Sequence, residues 1–347
     1  MAKSVPVAEA VGMVLPHDIT EIRAGEFKGR AFKKGHVIRP EDIEHLKRLG
    51  KEQIFILELT AADIHENEAA ALLAAALAGP GTRLSGEPVE GKISLNAAQR
   101  GVLRVDREAL YRFNLLGEVM AATLHGDSLV EEEQPVAATR LIPLLGSRQL
   151  VEQAVAEAEK DGGIIRVDAV RAARAGLVIT GNEVYHGRVK DAFEPVLREK
   201  LAALNSEVVE VVKAPDDAEQ IAAALARCLA AGADLLITSG GMSVDPDDVT
   251  RSGIAAAGAR EITYGTPVLP GAMFLSALLP TTDGREVPVL GLPACGMFHR
   301  ITVFDLILPR VLAGEKIGRE TFAALGHGGL CRNCKNCLYP VCPFGKH

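Results

Sequence analysis

Tryptophan is absent from this 347-residue chain, and Phe, Tyr and Trp together make up only 4%. A groove for single-stranded nucleic acid needs aromatic stacking platforms, which so few rings cannot supply. Positive charge is also short: the formal net charge is -7. That balance disfavours a surface for nucleic acid or for an anionic membrane. No basic segment followed by an apolar core stands at the start, so no signal peptide is expected. The longest bland run, Ala69 to Gly79, falls far short of the ~20 residues that span a bilayer. No G-x-G-x-x-G and no G-x-x-x-x-G-K-[ST] occurs, which leaves a dinucleotide fold or a P-loop unsupported. A cytoplasmic protein without a disulfide framework is the expectation. Two of its six cysteines, Cys228 and Cys295, lie in apolar surroundings and read as unpaired packing residues.

What is present is apolar bulk, 48% of the chain, enough for two or three domains. Residues 1–60 read as a small β-rich domain. Within it, "RPEDIEHLKRLG" predicts a helix and "QIFILEL" (Gln53 to Leu59) a strand. Residues 61–172 read as a mixed α+β region with an Ala-rich helix over 64–79. "RLIPLL" reads there as a strand, and a further helix is capped by Ser147. From 173 to 315 the pattern is regular: "GLVITG", "SEVVEVVKA", "DLLITSGG" and "VPVLGLP" are apolar strands separated by helical segments. One helix runs through "GMFHRITVFDLILPRVLAG". Apolar runs, rather than alternation, predict a mainly parallel sheet covered on both faces: a doubly wound α/β domain. Residues 316–347 form a Cys-rich tail.

Ligands of such sheets sit outside the carboxyl ends of the strands. Three strand ends here carry small or polar residues: Thr180, Gly181, Asn182 and Glu183; Ser239, Gly240, Gly241 and Ser243; and Leu290 to Ala294, including Pro293. Bare backbone and hydroxyls suit a phosphate or other oxyanion, since N–H groups can hold its charge. Glu183, Asp216, Asp247 and Asp248 fall beside these ends. Carboxylates next to an anion require a cation between them, and Mg²⁺ fits. A "GG" after a strand is also a common tight turn, and Asp216 or Asp248 could each be a plain helix N-cap.

"GLVITGNEVYHGRVKDAFEPVL", "PDDAEQIAAAL", "TSGGMSVDPDDVT" and "VLGLPACGM" follow one another in an order and spacing that resemble the molybdopterin-binding domain of the MogA, MoaB and MoeA proteins of molybdenum-cofactor synthesis. The resemblance covers Ala175 to Gly314. "FKKGHVIRPEDIEHLKRLGKEQIFIL" and "YGTPVLPGAMF" also look like elements of MoeA-type molybdotransferases. The resemblance implies an α/β domain that binds molybdopterin or its adenylated form, and an enzyme, a transferase, that inserts molybdate with release of AMP and uses a divalent cation. It implies positions for Glu183 at the Glu of a "TGDE"-type turn, Asp216 before the second helix, Asp248 at the close of the "SGGxS" loop, and Pro293 at the first Pro of a "GLPGNP"-type turn. Metal and ligand positioning would fall to Asp216, Asp248 and Glu183, with backbone donation from Gly240, Gly241 and Ser243. A non-catalytic carrier or sensor of the cofactor, and a MogA-like adenylyltransferase, are the alternatives. The resemblance allows a homo-oligomer and a molybdoenzyme recipient as partners. The sequence departs from the pattern in three places. Asn182 replaces a frequent Asp, "ACG" replaces "GNP", and no "DGYA"-type motif or C-terminal β-domain is seen.

The tail carries Cys331, Cys334, Cys337 and Cys342 in the spacing C-x2-C-x2-C-x4-C. Thiolates two residues apart can converge on one centre, so a four-Cys metal site is the reading. An iron–sulfur cluster and a structural Zn²⁺ both suit that donor set.

Overall fold

The computed structural model describes residues 2–23, 27–57, 60–160, 162–242 and 249–346. The chain divides into two compact units, one made of residues 1–98, 105–124 and 132–166, the other of 99–104, 125–131 and 167–347.

In the first unit, the strand Ala2–Pro6 pairs antiparallel with Gln53–Leu57, and Ile19–Arg23 pairs with Phe27–Phe32. The helix Asp42–Arg48 starts two residues after Pro40, where acids face the positive end of its dipole. Val7, Leu15, Ile38, Leu46 and Ile54 close a small core of their own. A second sheet orders its strands Thr82–Leu84, Lys92–Ala97, Pro135–Leu141, Val119–Thr123. The Ala-rich helix spans Glu66–Leu77 and lies against that sheet and against the helix Arg148–Glu159, whose Ser147 side chain caps it. The segment "RLIPLL" is not one strand. Pairing ends at Leu141, and a new short strand opens at Leu145. Pro143 between them has no N–H to give to a ladder, which accounts for the break.

The second unit is built on a six-stranded sheet. Its strands are β1 (Arg174–Thr180), β2 (Glu207–Ala214), β3 (Leu235–Ser239), β4 (Arg260–Tyr264), β5 (Leu275–Pro280) and β6 (Glu286–Leu292). Their order is β2-β1-β3-β6-β5-β4. The first four in that order are parallel, and β5 and β4 add an antiparallel edge. The fold is thus the expected doubly wound α/β type, with a mixed rather than wholly parallel sheet.

Why β1 and β3 read as unbroken apolar runs is plain from the packing. Leu177, Ile179 and Ile237 face one core with Leu197, Leu201 and Ile307. Val178 and Leu236 face the other with Ile221, Leu225 and Cys228. Helices cover both faces, so these strands are apolar except at their carboxyl ends, where Thr180, Thr238 and Ser239 stand. The long helix expected over Gly296–Gly314 begins only at Val303, because Thr302 and Asp305 form a reciprocal capping box; a short 3₁₀ turn, Ala294–Met297, precedes it.

Candidate ligand site at the strand ends

From β1 the chain goes to one side for β2 and to the other for β3. The sheet therefore reverses direction between β1 and β3, and a crevice opens at their carboxyl ends. The stretch Ser239–Gly240–Gly241 leaves β3 at that point.

A cavity of about 590 Å³ lies beside it. Gly240, Gly241 and Met242 line it after β3, and Pro293, Ala294, Cys295 and His299 after β6; Pro270, Gly271 and Met273, and Leu330, Cys331 and Asn333, complete the wall. Gly240, Gly241 and Pro293, three of the residues singled out from sequence, therefore meet at one cavity. The described lining contains no Asp, Glu, Lys or Arg.

The two glycines have a structural reason as well. Gly240 has φ +90°, and a Cβ there would lie 2.5 Å from the Thr180 carbonyl oxygen. Gly241 has φ +56°, and its Cβ would lie 2.4 Å from Thr250 Oγ1. The missing side chains thus face the protein, which lets the loop settle against the end of β1 and the helix Thr250–Ala256. Thr180 is buried. Its hydroxyl donates to the Ser239 carbonyl at 3.0 Å and shares a 2.9 Å hydrogen bond with Thr250. It ties the two strand ends together and is not offered to the cavity. Ser239 Oγ and Thr238 Oγ1 are buried and have no partner among the described residues.

Glu183 and Asn182, both exposed, and the half-buried Asp216 form a second group at the end of β1. Asp216 accepts from the Asn182 N–H at 2.8 Å, and its own N–H donates to Asn182 Oδ1 at 3.3 Å. The N-cap of the following helix, Ala218–Ala230, is Asp217, which accepts from Gln220 N–H. Asp216 is therefore not the helix cap; it cross-links to the turn at Asn182. The Glu183 carboxylate lies over Gly181, where a Cβ would come within 2.8 Å of it. None of Thr180, Gly181, Asn182, Glu183 and Asp216 is in the wall of the cavity itself. Ser243, Asp247 and Asp248 lie outside the described residues. Among the described residues, no three His, Cys, Asp or Glu side chains are gathered as a metal site.

Cys228 is buried, and burial pushes its thiol up to about 12, as suits a packing residue. Cys295 departs from that expectation. It is half-buried in the cavity wall, and partial burial pushes its thiol up. Tyr264 opens the "YGTPVLPGAMF" segment, but its role could not be read from sequence because it depends on a contact with the loop after β3. Its hydroxyl donates to the Met242 carbonyl at 2.6 Å, and the Arg251 guanidinium sits 4.5 Å over its ring. That contact holds the chain at Met242, just after the glycine pair.

The tail is no loose appendage. Cys331 N–H donates to the Leu269 carbonyl and Leu269 N–H to the Gly329 carbonyl, each at 2.8 Å. Gly345 N–H donates to the Gly328 carbonyl at 3.0 Å, and Phe344 is buried in the sheet's core. Residues 328–345 thus form a closed loop with both ends fixed. Cys334 and Cys337 are exposed on it, while Cys331 and Cys342 pack toward the core.

A parallel α/β sheet with a ligand-sized cavity at its switch point defines a class of small-molecule-binding domains. Residues 176–313 match the family described as "Probable molybdopterin binding domain", and that stretch contains the four motifs read from sequence within Ala175 to Gly314. Residues 4–58 match a "Domain of unknown function (DUF8806)". A molybdopterin molybdenumtransferase of Synechococcus elongatus is 29% identical over 146 residues, 40% of this chain and 36% of that protein. A CinA-like protein of Mycobacterium sp. (strain MCS) is 38% identical over 94 residues, 27% of this chain and 22% of that protein. The chain thus spans well under half the length of either relative. Among solved structures, the tungsten cofactor synthesizing protein MoaB of Pyrococcus furiosus aligns over 42% of this chain and 98% of its own, with 19% identity and a TM-score of 0.33. The molybdopterin biosynthesis Mog protein of Mycobacterium ulcerans aligns over 41% and 99%, with 21% identity and a TM-score of 0.33.

No helix among the described residues is long and apolar enough to cross a membrane.

Proposed function

We propose that this protein binds molybdopterin or its adenylated form in the cavity at the ends of β3 and β6, and transfers molybdate to it as a MoeA-like molybdopterin molybdenumtransferase. The observation that carries this reading is the meeting of Gly240, Gly241 and Pro293 at one cavity within the segment matching the molybdopterin-binding family. The ring system would occupy the apolar part of the wall, Met242, Met273 and Leu330, where its burial is favourable. Its phosphate would lie toward the backbone of Gly240 and Gly241, with Ser243 adding a donor. Asp216 and Asp248 would be the protein ligands of Mg²⁺, with Glu183 nearby. Bound Mg²⁺ would neutralise phosphate charge during transfer. The four tail cysteines form a donor set suited to Zn²⁺ or an iron–sulfur cluster. Molybdopterin and molybdate would be the small-molecule partners, a molybdoenzyme the recipient, and the cytoplasm the setting.

A binding-only reading, carrier or sensor, is favoured by one specific observation: the described cavity wall holds no charged side chain. A turnover assay with adenylated molybdopterin, Mg²⁺ and molybdate separates the two. Molybdate-dependent AMP release is expected. Tight binding without AMP release would overturn the transferase and leave the carrier. Pyrophosphate release from ATP and molybdopterin would instead identify a MogA-like adenylyltransferase.

A further inference from the structure

The first unit has a cavity of its own, of about 420 Å³. Folded interiors leave few voids larger than a water molecule, so this space is far more than a packing gap. Residues 17–20, 51 and 55 form one side of it, and residues 66, 90 and 140–144 the other. Hydrogen bonds hold the two sides together. The Thr20 hydroxyl donates to the Glu90 carboxylate, and the Lys34 ammonium donates to His65 Nδ1 at 3.1 Å. His65 Nδ1 also accepts from the Asn67 N–H, so its proton is on Nε2, which donates to the Pro16 carbonyl at 3.0 Å.

The charged groups of the wall differ in how far they are already used. Asp18 accepts from Arg30 at 2.8 Å and from the Lys34 N–H at 2.7 Å. Glu66 is buried and paired with Arg140 at 3.3 Å. Glu90 takes the Thr20 hydroxyl. The donors are less committed. Lys51 has no ion pair among the described residues. Arg140 gives Nε to the Leu141 carbonyl and Nη2 to Glu66, which leaves Nη1. His17 Nδ1 is buried without a partner among the described residues, a cost to the fold unless something bonds it. Burial holds the His17 imidazole below its usual range, and Lys51 and His65 add to that against Asp18, so the local field is positive. The remainder of the wall is apolar: Ile19, Phe55, Ile142 and Leu144. Phe55 and Ile142 are exposed.

We propose that this cavity binds an organic anion, its carboxylate or phosphate group held by Lys51, Arg140 and His17 and its apolar body resting on Phe55, Ile142 and Leu144. Either head group would use the same three donors. The site belongs to the first unit and does not rest on the pterin reading of the second.

The experiment is calorimetric titration of the full chain with phenyl phosphate, benzoate, inorganic phosphate and benzylamine. The first two join an aromatic ring to an anion; benzylamine joins the same ring to a cation. One-to-one binding of phenyl phosphate or benzoate is expected, the tighter of the two identifying the head group. Inorganic phosphate should bind at least about tenfold more weakly, because it lacks the apolar body. Benzylamine should not bind. Lys51 is exposed, so Lys51→Met should fold normally by circular dichroism and weaken the aryl anion by about tenfold or more. The His17 ring resonances, assigned with His17→Gln, should shift when the anion is added. No binding of either aryl anion overturns the proposal. So does benzylamine binding as tightly as the anions, or inorganic phosphate binding as tightly as phenyl phosphate. Unchanged anion affinity in a folded Lys51→Met, with His17 unshifted, overturns it too, because the anion would then sit elsewhere on the chain. None of these outcomes depends on whether a pterin binds.

Discussion

Replacing each glycine of the loop after β3 by alanine separates two costs that the structure assigns differently. At Gly240, φ is +90°, beyond the small left-handed region near roughly +50 to +70° that side-chain-bearing residues can enter. The new Cβ would meet the Thr180 carbonyl at 2.5 Å. That carbonyl closes a strand paired along β2 and β3 and cannot withdraw. The backbone conformation costs about 1–2 kcal/mol and the overpacking about 1–3 kcal/mol more. Gly240→Ala should thus lose about 2–5 kcal/mol. At Gly241, φ is +56°, inside the left-handed region, and the contact at 2.4 Å is with the Thr250 hydroxyl. Gly241→Ala should cost less, about 1–3 kcal/mol. Urea unfolding of both variants, each with and without Thr250→Ala, forms two double-mutant cycles. Removing the Thr250 hydroxyl should recover part of the Gly241→Ala loss and none of the Gly240→Ala loss. A Gly240→Ala cost under about 0.5 kcal/mol, or its rescue by Thr250→Ala, would refute the argument that protein geometry demands glycine there.

Other perturbations test neighbouring contacts. Tyr264→Phe removes the hydrogen bond to the Met242 carbonyl; a loss of about 1 kcal/mol in urea unfolding is expected, with weaker ligand binding as the loop after β3 loosens. Asp216→Asn keeps an acceptor for the Asn182 N–H but removes the carboxylate charge; stability should hold while any Mg²⁺ dependence of AMP release disappears, and unchanged Mg²⁺ dependence would take Asp216 out of the metal site. In the second unit, Arg104 is largely buried among Asp127, Asp168 and Glu315, and Arg310 also grips Glu315. Arg104→Met leaves those acids facing one another and should cost about 3 kcal/mol or more by urea unfolding. Burial would raise the Glu315 carboxyl, but hydrogen bonds and charge from Arg310 and Arg104 hold it below its usual range. Its contribution is therefore present above its unfolded pKa, near roughly 4.3, and is lost as pH falls through the lower folded value. An acid-unfolding profile should steepen there, and Glu315→Gln should flatten it.

The sheet was legible because its inner strands β1, β3 and β6 are buried along most of their length and show it as apolar runs. The antiparallel strands β4 and β5 were not legible. β4, "REITY", is largely exposed, and β5 follows a Pro-Gly segment that reads as loop. The tips of β1, β3 and β6 could be placed because ligands of this topology gather there. What could not be read was which atoms face the cavity. Thr180 looks like a donor in sequence, yet the nearness of Ser239 and Thr250 uses its hydroxyl. Asp216 and Asp217 are interchangeable in sequence as caps; only the position of Asn182 decides between them. Cys295 and the Leu330–Asn333 wall are joined to the glycine loop by contacts spanning tens of residues, which no local pattern encodes.

The central claim is that a pterin sits between the glycine loop and the Pro293–Cys295 turn. Its most direct test is anaerobic equilibrium binding of freshly released molybdopterin to the full chain and to Ala294→Trp, whose indole would intrude on the cavity wall beside Pro293. One-to-one binding by the unaltered chain, lost in a folded Ala294→Trp, is the predicted result. Equal binding by both, or none by either, would contradict it.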